Sequence, residues 1–154
     1  MKILNYALTL EHVETAFYKA VVASGLFKGA QAATIRRFGD QEAQHVDALT
    51  AAVKKFGGTP ASAPKTRFPL TSAGQVLNLA ATVENLGAAA YLGQAAKIQS
   101  KEALAAALSI HTVEARHAAT LNMLLGKSIV PDGAFAKPAA MEEVLPKVQP
   151  FLAG

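Results

Sequence analysis

The chain has no cysteine and no tryptophan, and charged and aromatic residues are scarce. Of 154 residues, 17% are charged and 6% are aromatic. The lack of Cys excludes disulfide bonds, Cys-ligated zinc, iron–sulfur clusters and thiol nucleophiles. No apolar stretch approaches the ~18 to 20 residues that a transmembrane helix needs, so we expect no membrane span.

The residue that is abundant instead is alanine. The sequence contains 33 Ala, which fall in long stretches without Gly or Pro. Ala is the best helix former, and the alternating runs rich in Val, Ile and Thr that are typical of strands are scarce. The length fits one domain of ordinary size. The composition therefore predicts an all-α domain.

The first residues resemble the start of a signal peptide, because Lys2 precedes an apolar run. Glu11 and Glu14 then follow with no small-residue cleavage site. The segment fits an amphipathic helix better, so we expect a cytoplasmic protein, or a periplasmic one if a signal upstream of Met1 was removed.

A basic excess gives the chain a formal net charge of +4. The pairs Arg36–Arg37 and Lys54–Lys55 have no interleaved aromatic residues, which a nucleic-acid groove would need. We expect these pairs to be solvated and the protein not to bind nucleic acid.

Glycine and proline divide the chain into four long helices and a tail. Gly25, Gly57 and Gly126 mark helix ends, and Ser100 is a suitable N-cap. The predicted helices cover about residues 3–24, 30–56, 73–98 and 101–125, with a short helix at 141–145. We expect a bundle over residues 1–126, made of two helical hairpins joined by a long crossover, and a C-terminal extension over 127–154 that packs on the bundle or links it to another part.

An internal repeat relates the two hairpins. Glu11 and Tyr18 are seven residues apart, as are Glu84 and Tyr91. The pairs Glu42–His45 and Glu114–His117 both have a spacing of three. The offsets of 73 and 72 residues indicate a duplication.

The repeated residues lie in the middle of the apolar stripe of each helix, where the 3–4 spacing predicts the core. The midpoint of Glu11 and Glu42 falls at positions 26–27, and that of Glu84 and Glu114 at position 99, both beside predicted turns. The two carboxylates of each antiparallel hairpin should therefore lie level with each other.

Buried carboxylates are costly unless a cation compensates them. Glu-x-x-His places both side chains on one helix face, so a single helix can supply two ligands to one ion. Carboxylate and imidazole suit iron or manganese. The sequence predicts a site for two metal ions, with iron favoured over manganese, whose ligands are Glu11, Glu42, His45, Glu84, Glu114 and His117. The simpler alternative is a pair of ordinary helical hairpins with chance polar residues in the core.

The order Glu, Glu-x-x-His, Glu, Glu-x-x-His over residues 3–125 resembles the ferritin-like di-iron carboxylate superfamily. The segment LTLEHVETAFY is most similar to the bacterial ferritin-like domain group, which includes rubrerythrin-like and desiccation-related proteins. The resemblance implies that Glu11 and Glu84 are terminal ligands, that Glu42 and Glu114 bridge, and that each His binds one ion. It also implies that Tyr18 and Tyr91 lie near the site as hydrogen-bond partners of ligand carboxylates, although both tyrosines would also fill the core without such a role.

The resemblance further implies metal oxidation or peroxide detoxification with O₂ or peroxide as substrate, and a homodimer. Rubrerythrin-type peroxidases carry a Cys-rich iron domain that this chain lacks, and cage-forming ferritins have a fifth helix where this chain has a tail with four Pro. The alternative is therefore a non-catalytic stress-related or interaction module with a structural or vestigial metal site.

Two further residues near the repeat could contribute to the site. Glu14 follows Glu11 by three residues, but its repeat counterpart is Gly87, so we expect Glu14 at the flank of the helix and keep an extra ligand as the alternative. His111 precedes Glu114 by one turn, and we expect a packing or surface role, with support of the site as the alternative.

Overall fold

The computed structural model describes residues 1–153, which fold into helices joined by turns and extended segments. Five α-helices follow one another along the chain, and the described residues contain no strand beyond one isolated bridge, between Thr66 and Leu152. The predicted all-α class and helical bundle are confirmed. The helices are α1 (Lys2–Ser24), α2 (Gly29–Lys55), α3 (Ala73–Ala95), α4 (Lys101–Leu124) and α5 (Met141–Val148), and a short 3₁₀ turn (Gln149–Phe151) follows α5.

The helix ends follow the local chemistry of the chain. α1 ends at Gly25, whose φ of 66° lies in the left-handed region that glycine adopts without strain. The Oγ of Ser100 caps α4 by accepting a hydrogen bond of 3.2 Å from the backbone N–H of Ala103. α3 ends at Ala95, three residues before the predicted position, because the N–H groups of Lys97 and Ile98 bond to carbonyls three residues back and tighten the chain into a turn.

The helix of the tail is longer than the sequence predicts. α5 extends to Val148 and includes Pro146 in its last turns. The Oε2 of Glu143 accepts a hydrogen bond of 2.7 Å from the N–H of Ala140, which holds the first turn in place. Met141, Val144 and Val148 are buried at a spacing of three and four residues. This apolar stripe explains why the helix extends to Val148, although the prolines of the tail predict a helix that ends at residue 145.

The described chain divides into two compact units. Unit 1 comprises residues 1–73 and 148–153, and unit 2 comprises residues 74–147. Unit 1 therefore holds α1, α2 and the crossover between α2 and α3 (residues 56–72). Unit 2 holds α3 without its first residue, α4, and α5 without its last residue.

In unit 1, α1 and α2 run antiparallel. Tyr18 lies against Gly39, and Glu11, nearer the start of α1, lies beside His45, nearer the end of α2. This order of contacts is that of an antiparallel pair. The crossover pairs with the segment that follows α5. The N–H of Arg67 donates a hydrogen bond of 2.9 Å to the carbonyl of Phe151. The rings of Phe17, Phe68 and Phe151 contact one another in sequence, with centroids 5.2 and 5.8 Å apart. Residues 65–68 and 151–153 thereby close one side of this unit.

In unit 2, α3 and α4 run antiparallel in the same way. Glu84 lies beside His117, and one turn later along α3 the carbonyl of Ala88 bonds to the ring of His111. The segment before α5 is held against α3 by a hydrogen bond of 2.9 Å from the N–H of Ala139 to the carbonyl of Ala89. Gly93 makes this approach possible, because a Cβ there would meet the backbone of Ala139.

None of the helices within residues 1–153 has the length and apolar character of a membrane span. The expectation from the sequence agrees with this finding.

Candidate metal-binding residues

Unit 1 holds a buried triad formed by Glu11, Glu42 and His45. The spacing of three in α2 places Glu42 and His45 on one helix face, and the antiparallel register brings Glu11 of α1 to the same level. The Nδ1 of His45 lies 2.9 Å from Oε2 of Glu42 and 3.2 Å from Oε2 of Glu11. Both glutamates are fully buried and His45 is 9% exposed. One ring nitrogen therefore faces two carboxylate oxygens in the interior.

Unit 2 holds the equivalent triad, formed by Glu84, Glu114 and His117. Glu114 and His117 share one face of α4, and Glu84 comes from the middle of α3. The Nδ1 of His117 lies 3.4 Å from Oε2 of Glu84, and all three side chains are buried. The duplication seen in the sequence is thus present as two structures of the same design.

The donor atoms of each triad are close enough to bind one ion. Within each triad one ligand atom per residue can be chosen so that all three lie within 4.8 Å of one another. Two ligands that bind one ion at about 2.1 Å and at right angles are separated by about 3.0 Å. The Nδ1–Oε2 distances of 2.9, 3.2 and 3.4 Å match that separation. The residues of each triad fit a metal ion with oxygen and nitrogen ligands.

The charge of each triad also suits a divalent cation. A pair of ionised carboxylates carries two negative charges, which a divalent ion neutralises, while a neutral imidazole adds a nitrogen ligand. Inside a protein, such carboxylates otherwise retain their full desolvation cost or bind protons. In each triad a bound divalent ion would compensate the charge of the two buried carboxylates.

The two repeat tyrosines are buried, at 1% exposure for Tyr18 and 7% for Tyr91. The ring of Tyr18 contacts Phe17 and Phe38 edge-on, with centroids 5.3 and 6.0 Å apart. A Cβ built at Gly39 would lie 2.9 Å from Cβ of Tyr18, so this glycine sets the distance between α1 and α2 at that point. Core filling is evident for Tyr18, and the role of both hydroxyl groups near ligands stays a prediction.

The structure buries one carboxylate that we expected at the helix flank. Glu14 is 3% exposed and lies one turn from Glu11 on α1. The spacing of three residues between Glu11 and Glu14 is consistent with this burial. The repeat does not indicate it, because the counterpart of Glu14 is Gly87. Glu14 is not among the residues whose ligand atoms converge.

The two remaining histidines bond to main-chain carbonyls. Nε2 of His12 lies 3.2 Å from the carbonyl oxygen of Ala61, and Nδ1 of His111 lies 3.0 Å from that of Ala88. His12 therefore fastens the crossover to α1, whereas His111 ties α4 to α3. For His111 this contact supports the expected packing role.

Comparisons with known proteins agree with the fold. Residues 1–127 match the family model of the ferritin-like domain, which confirms the resemblance drawn from the glutamate and histidine pattern. No curated protein matches the chain in sequence. The crystal structure of a conserved hypothetical protein from Mycobacterium tuberculosis superposes with a TM-score of 0.73 and 22% identity, covering 80% of this chain and 94% of that one. A likeness at that identity supports the fold alone.

Proposed function

The chain belongs to the ferritin-like domain family, and from that premise we propose that it binds two metal ions, iron or manganese, and uses them to react with O₂ or peroxide. The observation that supports the proposal is the presence of two buried triads with the same composition, in each of which Nδ1 of the histidine lies near Oε2 of the glutamate on the neighbouring helix. We further propose that the two triads together make one dinuclear centre, because the family match covers both hairpins.

The six residues have distinct roles in this proposal. Glu11 and Glu84 each bind one ion as terminal ligands, and His45 and His117 each add an Nδ1 ligand. Glu42 and Glu114 supply the carboxylates that bridge the ions. Four carboxylates balance the charge of two divalent ions, so the loaded centre is neutral before any redox change.

The protein's own groups have three tasks in such a reaction. The carboxylates hold the ions and accommodate their change of charge, whereas the surrounding apolar side chains exclude bulk water. Tyr18 and Tyr91 fix the orientation of ligand carboxylates by hydrogen bonding. The bound metal supplies the electrons that reduce O₂ or peroxide.

Metal analysis tests the binding part of the proposal. The purified protein, loaded anaerobically with Fe²⁺ and passed through a desalting column, should contain close to two iron ions per chain by mass spectrometry. Glu42→Ala and Glu114→Ala should each lower the content below half an ion per chain, because each removes a ligand shared by both ions. Asp47→Ala is the matched control, since Asp47 is an exposed carboxylate on the same helix as Glu42.

The stoichiometry of the variants also separates one centre from two. If each variant retains about one ion, the triads act as independent mononuclear sites and the bridging roles are wrong. Wild-type metal content in both variants would contradict metal binding by the triads altogether.

Turnover separates a catalytic site from a structural one. We expect the loaded protein to oxidise Fe²⁺ in the presence of O₂ or hydrogen peroxide, at a rate that falls at least tenfold in Glu42→Ala. Full metal loading without turnover with either oxidant would favour the second candidate, a helical stress-related or interaction module in which the metal is structural.

A further inference from the structure

Unit 2 contains a cleft that the metal proposal does not use. Its volume is about 480 Å³, and its lining comes from α3, the end of α4, the segment that follows α4, and α5. Glu84, Glu114 and His117 are not among its lining residues. The volume lies within the range of about 300 to 1,000 Å³ that is typical of small-molecule sites.

The floor of the cleft is a pair of amides. Nδ2 of Asn85 donates to Oδ1 of Asn122 at 3.2 Å, and Nδ2 of Asn122 returns a weaker bond of 3.4 Å to Oδ1 of Asn85. Asn122 is only 4% exposed. Nδ2 of Asn85 also donates to the carbonyl of Ala81 at 2.6 Å, so both N–H donors of Asn85 are used and its oxygen keeps one lone pair. The amide of Asn122 keeps one N–H donor and one lone pair beyond the pair. The floor can therefore bind hydroxyl groups.

The rim of the cleft is basic. Three lysines and two acidic residues line it. Asp132 is paired with Lys137, its Oδ1 lying 3.5 Å from Nζ, and the carboxylate of Glu143 accepts the N–H of Ala140 at the start of α5. Nζ of Lys127 donates to the neutral amide of Asn78 at 2.8 Å. Within residues 1–153, no carboxylate forms an ion pair with Lys127 or Lys147, so the rim carries positive charge.

We infer that this cleft binds a small polyhydroxylated organic anion, a carboxylate or a phosphate ester. Its charged group lies between Lys127 and Lys147, and its hydroxyl groups bond to the amides of Asn85 and Asn122. The ammonium groups of Lys127 and Lys147 oppose a cation in the same place, and the amide floor disfavours a purely apolar ligand.

Isothermal titration of the metal-loaded protein with gluconate, glucose 6-phosphate and glucose tests this inference. The three probes share a hydroxylated body and differ in the charged group. We expect gluconate or glucose 6-phosphate to bind with a Kd below 1 mM and glucose to bind at least tenfold more weakly. The better of the two anions identifies the charged group as a carboxylate or a phosphate ester.

Two variants locate the binding. The double substitution Lys127→Gln with Lys147→Gln should weaken anion binding at least tenfold, whereas Lys97→Gln with Lys101→Gln should change it less than twofold. The second pair removes the same charge from exposed positions of unit 2 that do not line the cleft. Thr82→Trp should abolish binding without a change of charge, because Thr82 is an exposed residue at the edge of the cleft and an indole there fills it.

Three results would overturn the inference: no anion binds at 10 mM, the control lysine pair weakens binding as much as the cleft pair, or Thr82→Trp binds as tightly as the parent. Circular dichroism of each variant confirms that the helices remain folded. Because none of these residues belongs to a triad, failure here leaves the metal proposal intact.

Discussion

Unit 1 and unit 2 each place two glutamates and a histidine on an antiparallel helix pair, yet the surroundings of the two triads differ. Nδ1 of His45 in unit 1 lies 2.9 Å from Glu42 and 3.2 Å from Glu11, and Nδ1 of His117 in unit 2 lies 3.4 Å from Glu84. A buried Glu14 in unit 1 corresponds to Gly87 in unit 2. The rings of Phe17 and Phe38 contact Tyr18 in unit 1, whereas unit 2 has an amide pair and a cleft.

The comparison separates residues that chemistry requires from residues that only fill space. The three residues of each triad, which we propose as metal ligands, keep their identity and spacing across the repeat, as a metal that accepts few donor types at fixed distances would require. Apolar neighbours have no such constraint, and many combinations of side chains reach the same packing density. Differences between the units therefore mark places where a second property, such as the cleft, could arise without harm to the first.

The largest expected effect concerns the shared chemistry of the two triads. Glu42→Gln and Glu114→Gln should each remove most of the thermal stabilisation that Fe²⁺ or Mn²⁺ gives, which for one ion at 100 times its Kd amounts to about 2.7 kcal/mol. In chelator, both variants should be at least as stable as the parent, because a neutral amide replaces a buried carboxylate. Differential scanning calorimetry with and without metal measures both effects. A variant that is much less stable in chelator would show that its carboxylate supports the apo fold.

The next prediction compares two glycines that each allow another part of the chain to pack closely against a helix. Gly93→Ala should destabilise the protein by about 2 kcal/mol, because the added Cβ meets the fixed backbone of Ala139. Gly39→Ala should cost about 1 kcal/mol, since Cβ of Tyr18 at 2.9 Å can move with its helix and alanine also favours the helix.

Gly74→Ala is the control for both glycine variants. It lies in the first turn of α3 with nothing within 4 Å of the added Cβ, so it should be neutral or slightly stabilising. Urea denaturation measures all three. Equal losses of stability in Gly39→Ala and Gly93→Ala would mean that the segment before α5 moves away from the added Cβ as easily as α1 does.

A smaller effect tests the amide pair that distinguishes unit 2. Asn122→Leu should lower stability by about 1 to 2 kcal/mol, because it leaves the amide of Asn85 with its short bond to the carbonyl of Ala81 but without its partner on α4. A double-mutant cycle with Asn85→Leu should recover about 1 kcal/mol of that loss. Additive losses would show that the two amides do not interact.

The smallest effects concern the starts of the second helix in each hairpin. Ser100 caps α4 with its side chain, whereas Lys28 at the same place before α2 forms no side-chain cap. Ser100→Ala should cost about 1 kcal/mol, and Lys28→Ser should gain about 0.5 kcal/mol. Thermal unfolding of the two variants measures whether each is more or less stable than the parent. A lower stability of Lys28→Ser would indicate that Lys28 has another stabilising role.

Much of the fold could be predicted because it depends on local patterns. Gly25 and Ser100 specify helix boundaries within one turn, and the spacing of Glu42 with His45 places both on one face irrespective of the rest of the chain. The burial of Glu14 was missed because the width of the buried face depends on how closely the helices approach, which the spacing alone does not give.

The features that escaped prediction depend on the path of the tail. α5 continues past Pro146 because a stripe of buried apolar residues holds it, and the cleft exists because residues 127–140 and α5 lie against α3. Lys127 and Lys147 are far apart in sequence, and no periodicity connects them. Such sites become visible only when the tertiary path is known.

The pairing of residues 65–68 with residues 151–153 has a consequence for the order of folding. Phe68 and Phe151 are 83 positions apart, whereas the two triads form between helices that are adjacent in the chain. Contacts between distant segments carry a larger loop-closure cost and generally form late. During synthesis, the first hairpin can therefore assemble well before the segment that closes its side is made, and this unit completes its aromatic cluster last.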